Sequence, residues 1–180
     1  MRRLFYFDVV VKDDERAFLT YDGRFQRLLT PGRHRRYDPA RRHAAKVVKV
    51  VHAEVPLDTA LLFEKTHPQI ASEHFEIIQT GANEVAIVSL DGQPKHLIPP
   101  MTTRAFWKTL TLVEVERIDT ADDLRVTPAH RDKMDLAATN IVYHDIVQSH
   151  EAGLLFVDGE FQEQLPAGRH TFWSVGRQVR

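Results

Sequence analysis

Ten histidines are the side chains of this 180-residue sequence best equipped for chemistry, as metal ligands or as proton carriers near neutral pH. Their positions (34, 43, 52, 67, 74, 96, 130, 144, 150 and 170) include no His-x-x-x-His pair and no His-Glu-x-x-His, the spacings that would put two imidazoles on one helix face. His144 and His150 would share a strand face, yet about 20 Å apart on an unbroken strand. Cysteine is absent, which removes thiolate metal sites, disulfides and a cysteine nucleophile. No Gly-x-Ser-x-Gly, Walker loop or dinucleotide glycine pattern occurs. The expectation is surface and turn histidines in a protein that is not an enzyme, with no catalytic residue, metal or cofactor. His34 and His170 each follow Gly-Arg, which points to a structural use.

Charge offers a second kind of chemistry. The whole chain is near neutral, with a formal net charge of -1, but Arg24 to Lys49 holds nine Lys/Arg against the single acid Asp38. A solvated connection between strands would explain this run. Its functional readings are contact with anionic lipid head groups, with nucleic-acid phosphates, or with an acidic face of a neighbouring subunit. Arg33, Arg35, Arg36, Arg41 and Arg42 are the candidate contacts for such an anionic partner. Few aromatics interleave with them, so stacking on single-stranded nucleic acid has little support. A binding module of this kind would bind in a salt-sensitive way and weaken when Arg35, Arg36, Arg41 and Arg42 become neutral.

The elements that must position these residues repeat three times. The copies read Glu15-Arg-Ala-Phe-Leu-Thr-Tyr-Asp22-Gly23 to Pro31-Gly32-Arg33-His34, Glu84-Val-Ala-Ile-Val-Ser-Leu-Asp91-Gly92 to Pro99-Pro100-Met101, and Glu151-Ala-Gly-Leu-Leu-Phe-Val-Asp158-Gly159 to Pro166-Ala167-Gly168-Arg169-His170. Self-similarity at a period of about 68 residues signals a repeat architecture. Asp-Gly between apolar runs predicts a two-residue type I′ hairpin, whose central residues need positive φ. The strand before each turn is apolar on both faces, which suits the inside of a sandwich or closed barrel. Pro31-Gly32 and Pro166-Ala167-Gly168 predict a second turn with Gly at positive φ; the turn at Met101 must differ. Strands are predicted at 6–11, 75–78 and 141–147. Aromatics recur about fifteen residues past each Asp, at Tyr37, Phe106 with Trp107, and Phe172 with Trp173, and are predicted to anchor the core. Long strands are predicted over 45–55 and 108–116, and short helices over 59–65 (capped by Asp58), 68–72 and 128–138.

The fold class predicted is therefore α+β, mainly antiparallel β, built as tandem units over 1–72, 73–139 and 140–180, each a small barrel or sandwich with one or two short helices. No apolar run approaches the roughly 20 residues that cross a bilayer, and the N-terminus is interrupted by charge too early for a signal peptide. The third copy stops at Arg180, just where its long strand should start. That predicts either a longer polypeptide or a last strand that pairs with a neighbouring chain.

The motif Glu-x-Ala, Asp-Gly, Pro-Gly-x-His and aromatic resembles the N-terminal region of bacterial slipins. These are stomatin-like members of the band 7 family, which also holds stomatin, prohibitin and flotillin. The resemblance covers most of 6–37, 75–107 and 141–180; the repeats of the major vault protein are more distantly similar. It implies a membrane-associated, homo-oligomeric scaffold that forms rings or cages, cytoplasmic and peripheral at the inner membrane face, beside a membrane protease of the NfeD type. The family supplies no catalytic residues to carry over. Two departures stand out: the stomatin N-terminal membrane hairpin is absent, and the second copy has Met101 where the others have Gly.

Overall fold

The computed structural model describes residues 5–51, 53–133 and 140–180. The first unit runs β1 (Tyr6–Val11), β2 (Glu15–Tyr21), β3 (Arg24–Leu29), β4 (Gly32–Tyr37) and β5 (His43–Lys49). A link follows with β6 (Glu54–Val55), α1 (Leu57–Thr66) and α2 (Pro68–His74). The second unit is β7 (Phe75–Gln79), β8 (Glu84–Leu90), β9 (Gln93–Ile98), β10 (Thr103–Trp107) and β11 (Val113–Asp119), with α3 (Pro128–Lys133) in the next link. The third is β12 (Val142–Val147), β13 (Gly153–Val157), β14 (Glu160–Leu165) and β15 (Gly168–Trp173). All ladders are antiparallel.

One wiring rule serves all three units. The first strand pairs with the fourth, as β1–β4, β7–β10 and β12–β15. The second pairs with the third and the fifth, as β2 with β3 and β5, and β8 with β9 and β11. In the third unit Phe156 and Arg180 exchange backbone hydrogen bonds at 3.0 Å, and Val157 bridges Val179. Each unit is thus a small outer sheet, holding the first and fourth strands, set against a hairpin sheet. This is the sandwich branch of the expectation; no sheet among the described residues closes into a barrel.

The Asp-Gly turns form as the residues dictate. Asp22, Asp91 and Asp158 sit at φ 49°, 54° and 52°, and the following glycines at 75°, 77° and 86°, the two positive values that a type I′ turn requires. Each hairpin then bulges at the same place, between Leu19 and Thr20, Val88 and Ser89, and Leu155 and Phe156. The bulge adds twist to the strand pair.

Alternation along the second strand gives two cores. Its inward residues pack within the unit: Ala17 and Leu19 with Val11 and Leu29, Ala86 and Val88 with Ile78 and Phe106, Leu155 and Val157 with Val147 and Phe172. Its outward residues pack on the outer sheet of the next unit. Phe18, with Phe25, Leu28 and Val48, meets Phe75, Ala105 and Trp107. Val85, with Leu97 and Ile118, meets Trp173, Val142 and Val175. That is why these strands read as apolar on both faces. Trp107 is 3% exposed and Trp173 is fully buried; truncating either to Ala would cost about 3–5 kcal/mol.

Several sequence expectations are corrected. Tyr37 is no core anchor. It is 67% exposed, because it holds the place of Trp107 and Trp173 at the end of its ladder but no unit precedes it among the described residues. The long strand expected over 45–55 is two pieces in different sheets, β5 and β6, and the one expected from 108 starts at Val113. Helix α1 starts at Leu57 after Pro56, with Asp58 inside its first turn and not at the cap. Pro68 does open α2, and the Thr127 hydroxyl accepts the His130 N–H at 3.2 Å at the start of α3; its expected continuation to Ala138 falls outside the described residues. His150 lies beyond the end of β12, so it shares no strand with His144. Among the described residues no helix is long and apolar enough to cross a membrane.

Candidate functional site

The repeated polar residues are occupied by the fold. Glu15, Glu84 and Glu151 each accept, through Oε2, the backbone N–H three residues before, from Lys12 (3.1 Å), Gly81 (3.0 Å) and Gln148 (3.3 Å). Each carboxylate closes the turn into its hairpin. Glu84 also takes Arg117 at 2.9 Å; the Gly81 N–H first and Arg117 second hold its pKa below the usual carboxylate range.

The turn aspartates grip the fifth strand. Backbone N–H groups of Asp22, Asp91 and Asp158 donate to the carbonyls of Arg42, Leu112 and Gln178 at 2.9 Å. In return Asp91 and Asp158 accept the N–H of Leu112 and Gln178 at 2.9 and 2.8 Å. The first unit solves the same problem differently. Buried Asp38 accepts the N–H of Arg42 (3.0 Å) and of His43 (2.9 Å), leaving Asp22 to face the Arg42 guanidinium at 3.4 Å. Burial alone would raise the Asp38 pKa, but the N–H donors of His43 and Arg42 and the His43 ring together pull it below its ordinary value.

The two Gly-Arg-His histidines have the structural use their spacing implied. His34 Nε2 lies 2.8 Å from the Thr30 carbonyl, and His170 Nε2 lies 2.8 Å from that of Pro166. The second unit has no such histidine. There the buried Thr80 hydroxyl donates to the Pro99 carbonyl at 2.7 Å and accepts the Thr102 N–H at 3.1 Å. This turn also holds one more residue than the others: Ile98 to Thr102 spans what Leu29 to Gly32 spans in one fewer, and Met101 takes up the extra step at φ 53°.

The five candidate arginines are all exposed but do not form one cationic patch. Arg33 and Arg35 lie on the outward face of β4, and Arg36 on its inward face, in the alternation of the strand. Arg33 is held by Asp8, with Nε to Oδ1 at 3.0 Å, and this hydrogen bond and the Asp8 charge raise its pKa further. Arg35 lies over the Tyr6 ring at 4.2 Å. Arg42 donates to the Tyr21 hydroxyl at 2.9 Å. Only Arg36 and Arg41 of the five have neither an ion pair nor a ring contact among the described residues.

Elsewhere the chemistry is sparse. No group of three His, Asp or Glu converges among the described residues. Among the described residues the buried polar atoms without a hydrogen-bond partner (Arg16 Nε, Thr109 Oγ1, His130 Nδ1 and Trp173 Nε1, together with His43 Nδ1, which lies 3.2 Å from Asp38 Oδ2) are scattered. Burial lowers the His96 pKa, and no carboxylate is bonded to it among the described residues to make a proton-transfer pair. A groove of about 630 Å³ runs between β2, β5 and α1, lined by Phe18, Phe25, Phe63 and Trp107, with Lys46 and Lys49 as its basic members. It borders the contact between the first and second units.

What remains is two faces, which sequence reasoning missed because it treated all three hairpins as alike. The outward face of the third hairpin sheet exposes Leu154 (55%) and Phe161 (57%), with Phe156 packed on Phe161 at 5.8 Å. Leu154 stands four residues before its Asp, the place of buried Phe18 and Ile87. The outward face of β1–β4 exposes Tyr6, Val10 and Tyr37. The signal that could have found both is the repeat itself, since a stacked series ends in two unlike free faces. No protein-family model, curated protein or solved structure matches the chain.

Proposed function

We propose that this chain is a non-catalytic scaffold that works by stacking β-sandwich repeats and associating with itself. The observation that carries this reading is the stacking contact, hairpin sheet onto the next outer sheet, which occurs twice within the chain and has one half of itself exposed at each end. The likeness of its repeats to the N-terminal region of slipins supports the same reading, and with it a cytoplasmic assembly peripheral to the inner membrane face, beside a membrane protease of the NfeD type. Light scattering across the micromolar range tests it. The expected result is a mass that grows with concentration, and a monomer throughout would overturn the proposal.

Arg36 and Arg41 favour a second reading, a module that docks on anionic lipid. Sedimentation with vesicles of anionic lipid, at two salt concentrations, should then show binding that falls with salt and with Arg36→Gln/Arg41→Gln. Binding to an oligonucleotide but not to the vesicles would turn this reading toward nucleic acid.

A further inference from the structure

We infer that the outward face of the third hairpin sheet binds the outward face of β1–β4 on a second copy of this chain, head to tail; this rests on the self-assembly reading above. The two internal interfaces define what each face expects. At the first, Phe18 of the hairpin sheet meets Trp107 at the end of the β7–β10 ladder, with ring centroids 6.2 Å apart. By repeat position Leu154 corresponds to Phe18, and Tyr37 to Trp107. Phe161 likewise corresponds to Phe25, and Tyr6 to Phe75, both members of that contact. The free faces therefore keep an apolar or aromatic residue at these four places of the first interface, while Gln164 stands where Leu28 and Leu97 stand.

A helix is not needed to complete the contact. Helices α1 and α2 contribute Ala60, Phe63 and Ala71 to the first interface. At the second, extended residues Leu124 and Val126 do this work, and α3 buries none of its described residues.

Charge then selects which copy of the face is met. In place of Ala105 and Thr171, β4 puts Arg35 on its outward face, with Arg33 two residues before. On the third hairpin Glu160 and Glu163 stand opposite the inward residues Val157 and Leu155, and Glu163 is held by Arg125, so the outward face there is apolar and carries neither acid. Two first outer faces would each bring Arg35 and repel, which favours a contact between unlike faces. The contact joins unlike patches, so it propagates into open filaments or closes into a ring.

The absence of cysteine makes the test direct. Tyr37→Cys and Leu154→Cys, both at exposed positions, are prepared singly, mixed, and treated with a short bis-maleimide. The expected product is a dimer linked between position 37 of one copy and position 154 of the other, formed in the mixture and in neither variant alone. Leu154→Asp, with its far-ultraviolet circular dichroism unchanged, should weaken wild-type association at least tenfold. Links only between like positions, or association unaffected by Leu154→Asp, would overturn the head-to-tail contact while leaving self-assembly standing. A wild type that stays monomeric throughout would overturn both.

Discussion

At the scale of single residues, the repeated positions are structural and their replacement should be read in stability. Thr80 does for the second unit what His34 and His170 do for the others, but from inside the fold. Thr80→Val would leave the Pro99 carbonyl and Thr102 N–H without that partner, at a cost of about 1–3 kcal/mol in denaturant unfolding; His34→Ala, at a half-buried site, should cost less. Asp38 makes a pH-dependent contribution. Its folded pKa is depressed, so the stability it adds is present above the unfolded value of about 3.9 and is lost as pH falls through the folded value. Wild type should therefore lose more unfolding free energy between pH 7 and pH 3 than Asp38→Asn does. Equal losses would show that the carboxylate is not what holds the start of β5.

At the scale of elements, the sequence carried the hairpins well and the joints between them poorly. Asp-Gly needs only local sterics, so all three turns and the strands before them were legible. The long strands were misjudged because nothing in Lys46 to Val55 marks the point where the chain leaves one sheet for another; that is decided by β6 pairing with β10, about fifty residues on. Tyr37 was misjudged for a related reason. Its burial depends on a preceding unit and not on its own type. The extra residue at Met101 was visible as a missing Gly, but its consequence, an exposed side chain held at φ 53°, required the ladder. Met101→Gly should raise stability by about 0.5–1 kcal/mol, since glycine takes that conformation without a Cβ clash. Gly153 predicts the reverse. It stands where Ala17 and Ala86 stand in the other units, yet an added Cβ would lie 2.8 Å from Val147 Cγ2. Gly153→Ala should lower the unfolding midpoint, by an amount set by how far the Val147 side chain can turn.

At the scale of the molecule, three sandwiches joined by two copies of one interface make a series with a direction. Its first outer sheet is basic and aromatic on its outward face, and its last hairpin sheet exposes Leu154 and Phe161. The candidate arginines are all exposed, but their roles were not legible. Whether Arg33 is spoken for by Asp8, or Arg35 by Tyr6, depends on the β1–β4 register. The faces themselves were not legible at all, because a sequence repeat shows what the units share and hides what the end units lack. The most direct test of stacking through those faces is sedimentation velocity of wild type against Phe161→Asp at matched micromolar concentrations. Stacking predicts a sedimentation coefficient that rises with concentration for wild type and stays near the monomer value for the variant. Identical concentration dependence in the two proteins would contradict it.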